Sequence, residues 1–117
     1  MDDLLETARE LKDQGCLNAA LVLLRHVVEQ DLDNAQAYLD LGLVFFAQAD
    51  YPQAVKALRV ACDLRPDQGV TYFHLALAYQ AVGDEESMRR VRFTLSQVAP
   101  DWYAKLDRQR PPPTPGG

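Results

Sequence analysis

Cysteine is scarce, with only Cys16 and Cys62 in 117 residues. So few cysteines exclude a disulfide-stapled secreted scaffold, and reduced thiols are expected at both positions. Histidine is equally sparse. His26 and His74 show no metal-ligand spacing with either cysteine, so no metal site is expected. No apolar run approaches the roughly 20 residues that span a bilayer. The opening MDDLLETARELKD is acidic and lacks the basic-then-apolar order of a signal peptide, so the expected location is cytoplasmic. Bases are outnumbered 12 to 17, giving a net charge of −5 and a pI near 4.8. That balance argues against nucleic acid or an anionic membrane as partner, because both call for a cationic surface. No G-x-S-x-G, phosphate loop or framed carboxylate pair occurs, so no catalytic residue and no cofactor is expected, and the chain reads as a non-enzyme.

What the chain does have is apolar content, 48% of its residues, enough for one domain with a real core. It also has an uneven charge. Residues 1–34 hold eight acids and three bases, while residues 103–117 hold one acid and three bases. Above all it has a period. Tyr38, Leu41, Leu43, Ala47, Asp50, Pro66 and Asp67 recur 34 residues later as Tyr72, Leu75, Leu77, Ala81, Asp84, Pro100 and Asp101. Stepping back by one period from Tyr38, Gly42, Phe45, Ala54, Leu58 and Ala61 gives Leu4, Ala8, Leu11, Ala20, Leu24 and Val27, which are again small or apolar.

The central unit carries Tyr38, Leu41-Gly42, Phe45, Ala54, Leu58, Ala61 and Pro66. That set resembles the tetratricopeptide repeat, a 34-residue helix–turn–helix unit with a W-x₂-L-G-x₂-Y…A-x₃-F…P pattern. Tyr stands for Trp, Phe for Tyr and Leu for Phe, so the apolar bulk is kept. The resemblance implies an all-α, right-handed solenoid of three repeats, 1–34, 35–68 and 69–102, within one domain over 1–110. About three such units are the usual minimum for a stable stack.

Read locally, the sequence predicts helices over about 2–14, 18–29, 35–48, 50–64, 68–82 and 85–98. Gly15 ends the first, being free to take positive φ. Asn18, Asp33 or Asn34, Asp50 and Asp67 are the expected N-caps of the next four, with Asp84 capping the sixth. The sixth helix keeps a stripe of Met88, Val91, Leu95 and Val98, but Arg92 stands where a large apolar residue is expected. Arg89, Arg90 and Arg92 are expected to form a solvated face, and His26 an exposed outer position. A short capping helix over about 102–108 would lay Trp102, Tyr103 and Leu106 on the last repeat. The tail 111–117, PPPTPGG, is expected to be disordered or polyproline II. Its Pro112-x-x-Pro115 lacks the flanking base of a ligand for a proline-binding domain.

Tetratricopeptide proteins commonly hold a peptide or helix in the concave groove of their first helices. The resemblance therefore implies a protein-binding scaffold or adaptor and places a groove at Leu5, Arg9, Leu39, Leu43, Phe46, Val70, Phe73, His74, Leu77 and Gln80. Leu39, Leu43, Phe46, Phe73 and Leu77 lie off the signature packing places. Exposed together, they would form an apolar patch of the kind that marks a partner surface. The expected partner is an apolar or amphipathic peptide or helix with basic residues toward one end. Two alternatives share the same surface: a chaperone of secreted translocators, and a homo-oligomer that covers the groove with a second copy. A clamp for an acidic EEVD-type C-terminus is not expected. The places that would supply its cations are Leu5, Arg9, Asp40, Val70 and His74, and Asp40 would repel a carboxylate.

Overall fold

The structure is a computed structural model that describes residues 2–109; the tail at 111–117 lies outside them. Seven helices follow one another: α1 Asp2–Asp13, α2 Leu17–Gln30, α3 Ala35–Ala47, α4 Tyr51–Leu64, α5 Gly69–Val82, α6 Glu85–Val98 and α7 Pro100–Gln109. They stack into an elongated body of 51 × 27 × 21 Å. Each helix packs on the next, and α7 packs on both α5 and α6. In addition α1 touches α3 and α3 touches α5, whereas among the described residues α2, α4 and α6 do not meet one another. The odd-numbered layer is therefore the inside of a bend and the even-numbered layer its outside.

Small residues set the spacing of the layers. Ala8, Ala20, Ala37, Ala54, Ala61, Ala76 and Ala78 are at most 1% exposed, and the larger Leu24, Val44, Leu58 and Leu95 interlock among them. A Cβ on Gly42 would sit 2.6 Å from Leu58 Cγ, so α3 and α4 cross at a distance only glycine permits. At the other end of the stack, a Cβ on Gly69 would run into Ala99 and Trp102, where α7 folds back on α5.

The repeat is visible in the backbone as well. The turn after each odd-numbered helix holds one residue at positive φ, and the three stand 34 residues apart: Gly15 at 82°, Ala49 at 59° and Gly83 at 81°. Ala49 adopts the left-handed region against its side-chain sterics, which costs about 1 kcal/mol relative to glycine.

The expected helix ends need three changes. The helix expected from 18 starts at Leu17, with Cys16 rather than Asn18 at the cap position and no side-chain capping bond. Asn18 instead accepts a hydrogen bond from the Gln48 amide at 2.9 Å. Before α5 the cap position is Gln68, not Asp67, again without a side-chain cap. Asp50 holds its cap position but its side chain caps nothing. Asn34 and Asp84 do cap, accepting from the backbone N–H of Ala37 and Ser87 at 3.0 and 3.1 Å. The last helix is longer than 102–108 because Pro100 needs no N–H partner in a first turn.

Candidate functional site

The concave layer brings the expected groove residues of α1, α3 and α5 to one side of the stack, but not all of them are accessible. Leu39 is only 4% exposed and Phe73 only 8%. The expectation that both belong to an open patch is thereby corrected. Leu39 sits in the middle repeat, flanked on both sides, and is part of the main core. Phe73 is covered by α7: the Trp102 ring lies 5.3 Å from it, centroid to centroid, and Leu106 and Leu95 complete the cluster. Leu5, Leu43, Phe46, Val70 and Leu77 are half-buried, with one flank on the core and the other open. Phe46 is held edge-on to Tyr51 at 5.1 Å, which fixes its orientation at the end of α3. Arg9 and Gln80 are exposed and His74 is half-buried.

A polar network crosses the concave face at its α1 side. Arg9 donates from Nε to Asp40 Oδ2 at 3.1 Å, and Gln36 donates to Asp40 Oδ1 at 3.2 Å. The Asp40 side chain is 7% exposed and that of Arg9 46%. Burial pushes the Asp40 carboxyl above its usual value even though Arg9, Gln36 and Lys12 all favour its ionised form. Lys12 also acts on His74 of α5. Burial first, and the Lys12 charge second, hold the imidazole below its ordinary pKa. The Lys12 charge thus acts on both Asp40 and His74. Its nearest carboxylate, on exposed Asp13, is 3.9 Å away.

The charges that turn to the concave side from α1 are thus Arg9 and Lys12. Glu6, Glu10 and Asp13 follow each other at helical spacing on the neighbouring, exposed stripe. From sequence alone Asp40 is expected only to repel an acidic terminus. Its mid-helix position among apolar neighbours was the available signal that it is buried and paired.

Other singled-out residues fall outside the concave face. His26 is exposed on α2, as expected. Arg92 is not part of a solvated face. Its side chain is 15% exposed, lies over the Tyr103 ring at 5.6 Å from the centroid, and reaches Asp107 Oδ1 at 3.2 Å. Cys62 is buried, and burial together with Asp63 pushes its thiol up to about 12, while Cys16 is exposed. Among the described residues no group of three or more His, Cys, Asp or Glu is placed to hold a metal ion, and no helix is long and apolar enough to cross a membrane. A cavity of about 540 Å³ lies where the first turn of α1 meets the last turn of α2. Leu5 lines it together with Leu4, His26, Val27 and Asp31.

Comparison with known proteins agrees with the geometry. Residues 42–83 match the family model of the TPR repeat. No curated protein matches the sequence. Among solved structures, PcrH in complex with the chaperone binding region of PopD superposes with a TM-score of 0.85 at 16% identity, covering 92% of this chain and 85% of that one. The Yersinia enterocolitica type III secretion translocator chaperone SycD gives 0.84 at 15% identity, covering 92% and 78%. The first TPR of Spaghetti (RPAP3), bound to HSP90 peptide SRMEEVD, gives 0.79 at 15% identity, covering 90% and 88%. At such identities the likeness is one of fold. With a 34-residue period in sequence and backbone, a match to the TPR repeat model over residues 42–83 and the same solenoid in these structures, the chain has the all-α fold of a tetratricopeptide-repeat solenoid.

Proposed function

We propose that the protein captures an apolar or amphipathic peptide or helix on its concave face and acts as a scaffold or adaptor. The observation that carries this reading is the row of half-buried apolar side chains, Leu43, Phe46, Val70 and Leu77. They sit on the inner layer, each with one flank open. Burying the open flank of each contributes a share of the roughly 1.5–3 kcal/mol of a fully buried side chain. Four together can outweigh part of the cost of association. PcrH and the first TPR of Spaghetti (RPAP3) are seen with polypeptide partners, which supports a polypeptide ligand here.

The partner differs from the one expected in two respects. Leu39 and Phe73 lie in the core and offer no anchor. The polar end of the face presents Lys12 and Arg9, so the flanking group it suits is neutral or acidic rather than basic. An acidic EEVD-type terminus remains a poor fit, because Asp40 already occupies Arg9.

Selection of a displayed peptide library against the immobilised protein tests the reading. Amphipathic sequences should be enriched, and their binding should fall at least tenfold on Phe46→Glu, which places a charge in the patch without entering the core. Enriched peptides that bind both proteins equally would show that the concave face is not the site.

A further inference from the structure

The third repeat inverts a dipeptide. The first repeat has Leu24-Arg25 and the second Leu58-Arg59, whereas the third has Arg92-Phe93 at the same two places. Leu24 and Leu58 are fully buried while Arg25 and Arg59 are exposed. The exchange therefore turns an arginine inward and a phenylalanine outward. The inward half is accounted for within the chain, because Arg92 bridges to Asp107 and Tyr103 of α7. The outward half is not: Phe93 is 68% exposed. One turn before it on the same face of α6 stand the exposed Arg89 and Arg90.

A complementary surface lies at the other end of the stack. The cavity between α1 and α2 has apolar walls of Leu4, Leu5 and Val27, with Asp31 and His26 at its rim. At about 540 Å³ it falls within the range of sites that enclose small molecules, so a phenyl ring fits with room to spare. The two ends also differ in charge. Residues 1–34 carry −5, whereas from Arg89 onward the sequence holds six bases against two acids.

We propose that copies of this chain associate head to tail, with Phe93 of one copy seated in the Leu4, Leu5 and Val27 hollow of the next. Arg89 and Arg90 then face Asp31 and the acidic first repeat. Pairing two α6 faces with each other is disfavoured, since it would set Arg89 and Arg90 against their own copies. Knob and hollow occupy different surfaces of one chain, so the contact is heterologous and each copy keeps a surface for a further one, building a chain or a ring rather than stopping at a dimer. The row of Leu43, Phe46, Val70 and Leu77 on α3 and α5 stays free, and an array would present one such row per copy.

Sedimentation velocity of the full chain, from micromolar to millimolar concentration at low salt, tests this. The mass should rise above the 13.1 kDa monomer with concentration and fall back at high salt, as screened charge attraction requires. Phe93→Ala should weaken association by about 10- to 100-fold. Phe93→Asp and Leu4→Arg should each be monomeric. Mixed together, they should form a heterodimer that grows no further, because each keeps one intact surface. Phe46→Glu should associate like the unaltered chain, which separates this contact from the concave face. A monomer at every concentration, association of Phe93→Asp equal to that of the unaltered chain, or a mixed pair that fails to combine would each overturn the proposal.

Discussion

Gly42→Ala tests the packing that holds the two layers together. In an open helix this change stabilises by about 1 kcal/mol, since alanine is the better helix former. Here the new methyl would lie 2.6 Å from Leu58 Cγ and 2.7 Å from Leu58 Cδ2. Carbon atoms prefer roughly 3.5–4.0 Å, so the overlap is close to 1 Å. Leu58 is 0% exposed, and its Cγ is only one bond beyond Cβ, so it has little room to retreat. Either α3 and α4 part by several tenths of an ångström or Leu58 leaves its rotamer. Overpacking of this kind costs about 1–3 kcal/mol, which exceeds the propensity gain at all but the lower end of that range. A net loss of up to about 2 kcal/mol is expected in urea denaturation, with an unchanged slope. The cycle with Leu58→Ala sharpens the test. Leu58→Ala alone should cost about 2–5 kcal/mol. The double variant should cost less than the sum by at least about 1 kcal/mol, because the added methyl occupies part of the space the leucine leaves. A Gly42→Ala protein about 1 kcal/mol more stable than its parent, as in an open helix, or an additive cycle, would refute the close crossing.

Two further predictions concern conformation and charge. Ala49→Gly should stabilise the fold by roughly 0.5–1 kcal/mol, because Ala49 sits at φ 59° where the other two repeats have Gly15 and Gly83; urea denaturation will report it, and a loss of stability would show that the turn carries no strain. Asp40→Asn should leave stability at pH 7 within about 1 kcal/mol of the parent or raise it, although it removes one side of an ion pair. Arg9 is half-exposed and can turn to water, so the loss of about 3–5 kcal/mol that follows when a fully buried charge is orphaned does not apply. The pH dependence gives the sign independently. Asp40 titrates above its unfolded value, so its contribution to stability is fully present below the unfolded pKa and is lost as pH rises through the folded one. The asparagine variant should lack that decline. A steeper decline than in the parent would refute the raised pKa.

The helices and their order were legible because a 34-residue period imposes itself on every position at once. One ambiguous residue, such as Arg92, cannot shift a register that many others fix. Helix starts were less legible at Cys16 and Gln68, where a carboxylate or amide one or two residues away looked the better cap. Side-chain caps contribute only about 1 kcal/mol each, and packing of the repeat overrides them. Arg92 was flagged as out of place, but its partner could not be named, because Asp107 meets it only after α7 folds back across α6.

The exposure of the concave residues was the least legible feature, and the reason is geometric. Phe73 and Leu77 are one helical turn apart on α5 and share the same face, so no periodicity separates them. Phe73 is sealed with the Trp102 ring against it, whereas Leu77 is only half-buried. Leu39 and Leu43 on α3 differ in the same way, by their depth between neighbouring helices rather than by any property of leucine. It follows that α7 sets the length of the accessible face as well as capping the stack. Gly69 is what lets it do so, since any side chain there would meet Ala99 and Trp102 and lift α7 from α5. The apolar row available to a partner runs from Phe46 and Leu43 to Leu77 and Val70 and stops at the tryptophan.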